Sequence, residues 1–354
     1  MGAGLGNGEV LLGALPPKPG ERAMTKPSVA IIGAGMAGLT LARRLSATAR
    51  VTVFDKSRGT GGRLATRRTE TTAFDHGAQY FTIRDSRFHT ALEPYLEAGQ
   101  VQAWAAALMR IGADGASERL ADRAPRFVGV PAMTALPKAL AEGLDLRLGC
   151  QILALQKTGD GWHLATKDRT FGPFDRVVAT APAPQTRQLM PFAAADLEAL
   201  DGVRMNGCFT LMLTLKEGTL PPAEAAQVEH PVISWIAANH GKPDRDTAPA
   251  LVVHANNRWA DQHLEAPLET VRDSMMAACR TLCADFDWDA VLAIDIHRWR
   301  YANVETPLGQ PFLLDNGLGL AACGDWCVGN RVEAAFLSAT ALADVMEPQL
   351  AKGC

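Results

Sequence analysis

No stretch of this 354-residue chain runs the roughly 20 apolar residues that a membrane-crossing helix requires without meeting Arg, Asp, Gly or Pro, so no span is expected. Neither sign of charge is in excess: 35 Lys+Arg stand against 38 Asp+Glu, a formal net charge of -3. That balance argues against a chain that coats nucleic acid and against a disordered one. Cysteine is sparse and badly spaced for a disulfide framework, being odd in number at 7 with no C-x-x-C pair. The pairs Cys279/Cys283 and Cys323/Cys327 could ligate a metal if a neighbouring His or Cys completed a tetrahedral set, but the first lies in an apolar helical run; buried packing is expected, with no metal. A reducing, cytoplasmic setting follows. Tyrosine occurs only 3 times.

Apolar residues, at 47%, are plentiful enough for a soluble protein of two lobes. Residues 1–27 read as a disordered Gly/Pro-rich leader, with neither a basic segment nor a cleavage signature, and with Met24 a candidate natural start.

The strongest local signal follows at once. Ser28 to Ile32 is a short apolar β-run; Gly33-Ala-Gly35-Met-Ala-Gly38 comes next, then a helical stretch from Leu39 to Ser46, and a second β-run, Arg50 to Phe54, ending in Asp55. In Gly33-x-Gly35-x-x-Gly38 the first glycine permits a tight turn, the second lets backbone approach a pyrophosphate, and the third lets helix and strand pack closely, while Asp55 is placed to meet an adenosine ribose. Such turns also arise for packing alone. Here strand, helix, strand and acid agree, which favours a bound dinucleotide at the helix N-terminus. A second glycine-rich loop, Arg58-Gly-Thr-Gly61-Gly62-Arg63, follows in place of another βαβ unit. An extended FAD needs such a second set of backbone donors, and an NAD domain does not.

Further on, Arg87 to Ala107 reads helical, and Ala132 to Glu142 as a short helix. Residues 146 to 179 read as a β-meander: Leu146 to Leu155, Trp162 to Lys167 and Asp175 to Thr180. Strands are expected at Cys208 to Leu215, Val232 to Ala237, Ala250 to Ala255 and Val291 to Trp299, with an amphipathic helix from Leu268 to Leu282. Gly319 to Cys323 reads as a strand, Gly324 to Asn330 as a turn, and Arg331 to Met346 as a closing helix.

Several stretches resemble a known family. Gly33 to Gly38, Asp55-Lys56, Gly61-Gly62-Arg63 and Gly324-Asp325 look like the flavoprotein superfamily of amine oxidases and phytoene desaturases. Phe54-Asp-Lys-Ser-Arg-Gly59, Asp75-His-Gly-Ala-Gln-Tyr-Phe81, Trp235-Ile-Ala-Ala-Asn239, Leu251-Val-Val-His254 and Cys323-Gly-Asp-Trp-Cys327 resemble the renalases, their bacterial branch above all. The resemblance runs from residue 28 to 346. It implies an α/β fold: an FAD-binding Rossmann-like lobe (βαβ plus β-meander) from 28–80, 144–186 and 306–354, and a mixed-sheet substrate lobe, amine oxidase/p-hydroxybenzoate hydroxylase-like, from 81–143 and 187–305. It also implies non-covalent FAD, since Cys323 and Cys327 do not match the flavin-linking cysteine of amine oxidases.

On the same resemblance, Ala37, Arg63, Gln79 and Tyr80 match FAD contacts and Ile152 the residue whose backbone holds adenine. Gly324 and Asp325 match the ribityl-binding turn, and Val332 and Glu333 open a helix aimed at the flavin, whose reduced form is anionic. The implied reaction takes hydride from 2- or 6-dihydro isomers of NAD(P) onto flavin and passes electrons to O2, giving NAD(P)+ and H2O2. Arg331 stands where an amine oxidase has a tyrosine. A fixed cation there suits a phosphate-bearing substrate better than a protonated amine. His254 reads equally as a satisfied core histidine or as a hydrogen-bond partner for a nicotinamide carboxamide, and Asn239 has the same status. His297, Arg298 and Arg300 read equally as a solvated sheet edge or as groups that steer phosphates, His76 as packing, Lys216 as a solvated strand end, and Lys242 as a loop residue. The competing readings are an amine oxidase or desaturase of another substrate, and a non-catalytic FAD-binding module. No nucleic-acid or membrane partner is expected, and the residues leave the oligomeric state open.

Overall fold

A computed structural model describes residues 26–121, 124–245 and 248–352. The leader reading falls on residues 1–25, which lie outside the described residues, as do the candidate start Met24 and Cys354.

Ser28–Ile32 is buried along its whole length, as expected of a strand covered on both faces of a parallel sheet. It is central in a six-stranded sheet whose order is Leu313–Asp315, Leu320–Ala322, Arg176–Ala179, Ser28–Ile32, Arg50–Phe54 and Asp145–Arg147. All neighbours run parallel except the first two. The Met36–Leu45 and Val332–Ala351 helices pack on one face, burying Leu39, Leu41, Leu342 and Ala343 together. On the other face lies an antiparallel meander of Ala154–Thr158, Gly161–Ala165 and Thr170–Phe174. Phe54 meets Phe171 and Phe174 edge-on there, at 5.0 and 5.9 Å between ring centroids.

The second sheet has seven strands in the order Val291–Thr306, Arg204–Leu215, Ala250–Ala255, Ile233–Ala238, Ala225–Val228, Leu108–Ile111 and Ser117–Arg119. It is antiparallel apart from the Ala225–Val228 and Leu108–Ile111 pair, so it is a mixed sheet. Strand alternation gives it two chemistries. One face sends Leu211, Leu213, Val253 and Ile236 against the Leu268–Leu282 helix, which buries Val271, Met275, Cys279 and Leu282 at helical spacing. The other face carries polar and aromatic groups toward the first lobe.

Ala250–Ala255 and Leu268–Leu282 coincide with the expected elements. Three others differ. The helix expected from Arg87 to Ala107 runs only from Ser86 to Glu97, because Gly99 adopts a positive φ of 70° and the chain turns into the strand Val101–Ala103. The single strand expected from Leu146 to Leu155 is two strands in different sheets, and the break between them leaves Ile152 on an open cleft. Asp175 to Thr180, read as the end of the meander, supplies the parallel-sheet strand Arg176–Ala179; the meander is completed by Thr170–Phe174, which carries no alternation to announce it. Among the described residues, no helix is long and apolar enough to cross a membrane.

Gly38 sits where a Cβ would come 1.9 Å from the Gly33 carbonyl oxygen. Backbone cannot yield as a side chain does, so Gly38→Ala should destabilise the fold by about 1–3 kcal/mol, read as a lowered urea midpoint.

Candidate functional site

Between the two sheets lies a cleft of about 1740 Å3, larger than the ~300–1,000 Å3 that a single drug-sized ligand occupies. Its first wall is the glycine-rich turn. The Met36–Leu45 helix begins behind Gly35 with no side-chain cap, so its first N–H groups have no helical partner and face outward. A Cβ on Gly35 would meet nothing within 4 Å and would stand in the cleft itself. Gly38, by contrast, does not line the cleft; it serves helix packing.

The second loop is fastened to the first: Gly61 N–H donates to the Ala34 carbonyl at 2.8 Å. Gly62 has a φ of +56°, which leaves the loop backbone turned toward Gly35. Asp55, expected to meet a ribose, also holds this wall: its Oδ2 accepts from Ala34 N–H at 2.7 Å and its Oδ1 from Ser57 N–H at 2.7 Å. Lys56 and Ile152 line the same end, with Gly33 and Ala37.

Arg63 and Asp325, expected as separate cofactor contacts, are each other's partners. The guanidinium donates to both carboxylate oxygens, at 2.8 and 2.6 Å, and to the Ala302 carbonyl at 3.0 Å. This bidentate pair joins the second glycine loop, the Gly324-Asp325 turn and the long strand of the other lobe. Behind that turn the Val332–Ala351 helix opens with Arg331 at its N-cap and no side-chain cap; Arg331, Val332 and Ala335 line the cleft. Glu333 does not. Its carboxylate accepts from the Arg84 and Asp85 N–H groups at 2.7 and 2.8 Å, fastening the start of the Ser86–Glu97 helix.

The opposite wall is one row of side chains across the second sheet. Register places His297 beside Thr210, Thr210 beside His254, His254 beside Trp235, Trp235 beside Gln227 and Gln227 beside Arg110. All but Thr210 line the cleft. Trp299 stacks on His76 at 5.1 Å, and His297 meets both rings edge-on. Burial, then the nearby His297 and Arg67, pull the His76 pKa down to about 4. Burial and Arg67 do the same for His297, also to about 4. For His254, burial, then the charge of Lys242, then His76, pull it down to about 3. Each imidazole is therefore neutral near pH 7.

Behind this wall sits a buried charge cluster that the residue pattern did not announce. Asp75 is fully buried, and its carboxylate accepts from Arg245 at 2.7 Å, Lys242 at 3.3 Å, the Met133 N–H at 3.0 Å and the Thr66 hydroxyl at 2.7 Å. Burial alone would raise its pKa; the two cations and the hydrogen bonds outweigh that and hold it at about 2. Lys242, read as a loop residue, is buried as well, its ammonium donating to Gln79 Oε1 and Asn239 Oδ1 at 3.2 Å each. Desolvation lowers its pKa to about 8 despite Asp75. Asn239, read equally as a core residue or a substrate partner, is in this cluster: its amide oxygen accepts from the Asp75 N–H, and its nitrogen donates to the Ala73 carbonyl. It does not line the cleft: it follows the end of the Ile233–Ala238 strand, four residues past Trp235, and opens the turn Asn239–Gly241. Gln79 and Tyr80 do line the cleft, Tyr80 packed beside Trp104 and Trp235.

Cys323 and Cys327 are buried away from the cleft, and burial pushes the Cys327 thiol up to about 12. Among the described residues, no group of His, Cys, Asp and Glu is arranged to hold a metal ion. The residues do fit a dinucleotide: an uncapped helix N-terminus, a glycine cradle that a side chain would fill, and a second glycine loop beside it. Charge agrees. Ten Lys and Arg side chains line the cleft against the three carboxylates of Asp55, Glu229 and Asp325. Arg67 and Arg300 are held by Asp295 and Glu265. Lys56, Arg58, Arg68, Lys138 and Arg331 have no acidic partner among the described residues.

Comparison with known proteins gives the same answer. Residues 31–95 match the NAD(P)-binding Rossmann-like domain, and residues 94–346 match the family described as flavin containing amine oxidoreductase. Mouse (Mus musculus) renalase is 23% identical over 325 residues, covering 82% of this chain and 92% of the mouse protein. Among solved structures, a protein described as a protoporphyrinogen oxidase, from Exiguobacterium sp. 255-15, superposes with a TM-score of 0.74 at 14% identity, covering 92% of this chain and all of that one. Putrescine oxidase bound to putrescine superposes with a TM-score of 0.66 at 12% identity, covering 91% of this chain and 99% of that one.

Two outcomes test the site. Gly35→Ala should leave the stability of the flavin-free protein within about 0.5 kcal/mol yet weaken flavin binding at least about tenfold, read by flavin fluorescence titration. His254 has a folded pKa near 3, below its unfolded value. The stability that its neutral form contributes is thus full above about pH 6.5 and lost as pH falls toward 3, by up to about 1.4 kcal/mol per unit. Urea midpoints measured from pH 7 to 4 should fall less steeply in His254→Gln than in the native chain.

Proposed function

From the premise that the chain belongs to the flavin-containing amine oxidoreductase family, as a renalase-like member of it, we propose that it oxidises 2- or 6-dihydro isomers of NAD(P) to NAD(P)+, with O2 as final acceptor and H2O2 as product. FAD is the cofactor, and when bound it supplies the hydride acceptor and the means of passing electrons on. The rest of the chemistry belongs to the protein's own side chains.

One observation carries the substrate reading: the surplus of cations around the cleft. The pyrophosphate of FAD answers some of them, and the others favour a second phosphate-bearing occupant. A protonated amine meets the same charges as repulsion. The sheet wall agrees, since His254, His297 and His76 are neutral and none of them is a carboxylate that could pair with an ammonium. Nor does a dihydropyridine need a general base, because regaining aromaticity drives hydride loss, so the wall has only to orient the ring and exclude water. Tyr80 and Trp235 provide the apolar part of that surface, and His254 the polar part.

At the other wall, the N–H groups that open the Val332–Ala351 helix favour negative charge held near them. Arg331 adds a full charge at the same place. The Arg63–Asp325 pair keeps the turn and the second glycine loop in register. Gly33, Gly35, Ala37, Asp55, Lys56, Gly62 and Ile152 are the proposed cofactor cradle, and the link is proposed to be non-covalent, since Cys323 and Cys327 do not line the cleft and the thiols that do, Cys150 and Cys208, have their pKa values raised by burial. Cytoplasmic residence is part of the same proposal.

Mixed anaerobically with 2- or 6-dihydro-NAD(P), the yellow protein should lose its flavin absorbance within seconds, while ordinary 4-dihydro NADH and simple amines leave it unchanged over minutes. Bleaching by amines, with the isomers inert, would overturn the proposal in favour of amine oxidation; a flavin that no hydride donor reduces would mark a binding module.

A further inference from the structure

Gln79 stands between the buried charge cluster and the cleft wall, and its amide has only one chemically consistent orientation. The Lys242 ammonium, a pure donor, lies 3.2 Å from Oε1. The Asp75 and Gly77 carbonyls, pure acceptors, lie on the side of Nε2, the latter at 3.2 Å. Turning the amide over would set NH2 against an ammonium and oxygen against two carbonyls. The group is buried, so water does not relieve either mismatch.

That orientation determines what His254 can be. Its Nε2 lies 3.3 Å from Gln79 Nε2; an amide nitrogen is no acceptor, and its two hydrogens are shared among this ring nitrogen and the Asp75 and Gly77 carbonyls, so the imidazole nitrogen that faces it is the unprotonated one. The ring is neutral, which leaves its single proton on Nδ1. Among the described residues no partner faces Nδ1, and it is not one of the enclosed polar atoms left without a partner. It is open to the cleft that His254 lines.

We infer that Gln79 is a positioning residue: it holds His254 as the Nδ1–H tautomer, so that the cleft floor meets its occupant with a hydrogen-bond donor. This deepens the dihydronicotinamide reading and rests on it. A donor selects a substrate that presents an acceptor, such as the carbonyl of a carboxamide. It turns away an ammonium, which has only donors to offer. Lys242 contributes from behind the wall by occupying Gln79 Oε1, and Asp75 by holding Lys242 in place. In this arrangement a buried lysine, itself out of reach of any substrate, helps determine the polarity of the group that touches one.

The test needs no turnover. In the FAD-loaded enzyme carrying 15N-histidine, two-bond 1H–15N correlation spectra separate the two neutral tautomers from each other and from the cation, with the His254 signal identified by its loss in His254→Phe. The native enzyme should show His254 protonated on Nδ1 and bare on Nε2. A signal from the Nε2–H form or from the cation overturns the inference, and the tautomer itself is read on the native enzyme. Gln79→Met keeps the length of the side chain and removes the donor. It should bring up the Nε2–H form and weaken NAD+ binding about tenfold, the worth of one hydrogen bond, measured on the flavin-loaded fraction. An unaltered tautomer in that variant, or an altered tautomer with unaltered NAD+ affinity, also overturns it. Failure of the substrate reading looks different: no dihydro isomer bleaches the native flavin, whatever tautomer His254 adopts.

Discussion

A carboxylate with no water around it must be answered on every side, and the structure is organised about the one at Asp75. Two cations from the 242–245 loop, an N–H from Met133 and a hydroxyl from Thr66 converge on it. These partners come from separate parts of the chain, so they must arrive together for any of them to be buried at acceptable cost. Removing one member of such a cluster leaves an uncompensated charge, typically a loss of about 3–5 kcal/mol. The segment that bears Asp75 runs straight on to Gln79 and Tyr80, so the cluster also determines where the cleft wall stands.

From that joint the site's electrostatics follow. The first lobe offers two uncapped helix N-termini and two glycine loops, all of them anion-favouring. The second lobe offers a row of neutral imidazoles, an indole and an amide, with arginines at its margins. One wall therefore favours anions, and the other offers a surface suited to a planar ring. Putrescine oxidase shares this architecture, and the charges around the cleft are what the proposed substrate reading rests on. Arg331 stands at the opening of the final helix, and no carboxylate lies along the central row of the sheet wall.

How much of this was legible in advance depended on distance along the chain. The βαβ unit and its glycines are a local matter, because turn, helix start and strand are each specified by neighbours within a few residues. The Ala250–Ala255 strand and the Leu268–Leu282 helix were readable for the same reason. The helix expected to run to Ala107 failed at Gly99, where one positive φ outweighed a run of good helix formers. Arg63 and Asp325 each belong to a legible local motif, yet nothing local joins the two, and nothing around Lys242 in the chain marks it as buried.

Composition, glycine spacing and the resemblance were enough to specify a flavoprotein of this fold and the two glycine loops of one cleft wall, because those features rest on short-range backbone geometry. Tertiary structure alone decided the other wall. Gln79 meets Lys242 across 163 residues of chain, His254 across 175, and Arg63 meets Asp325 across 262. Such pairings depend on the order in which strands enter a sheet and on their register, and no local pattern of residues encodes either.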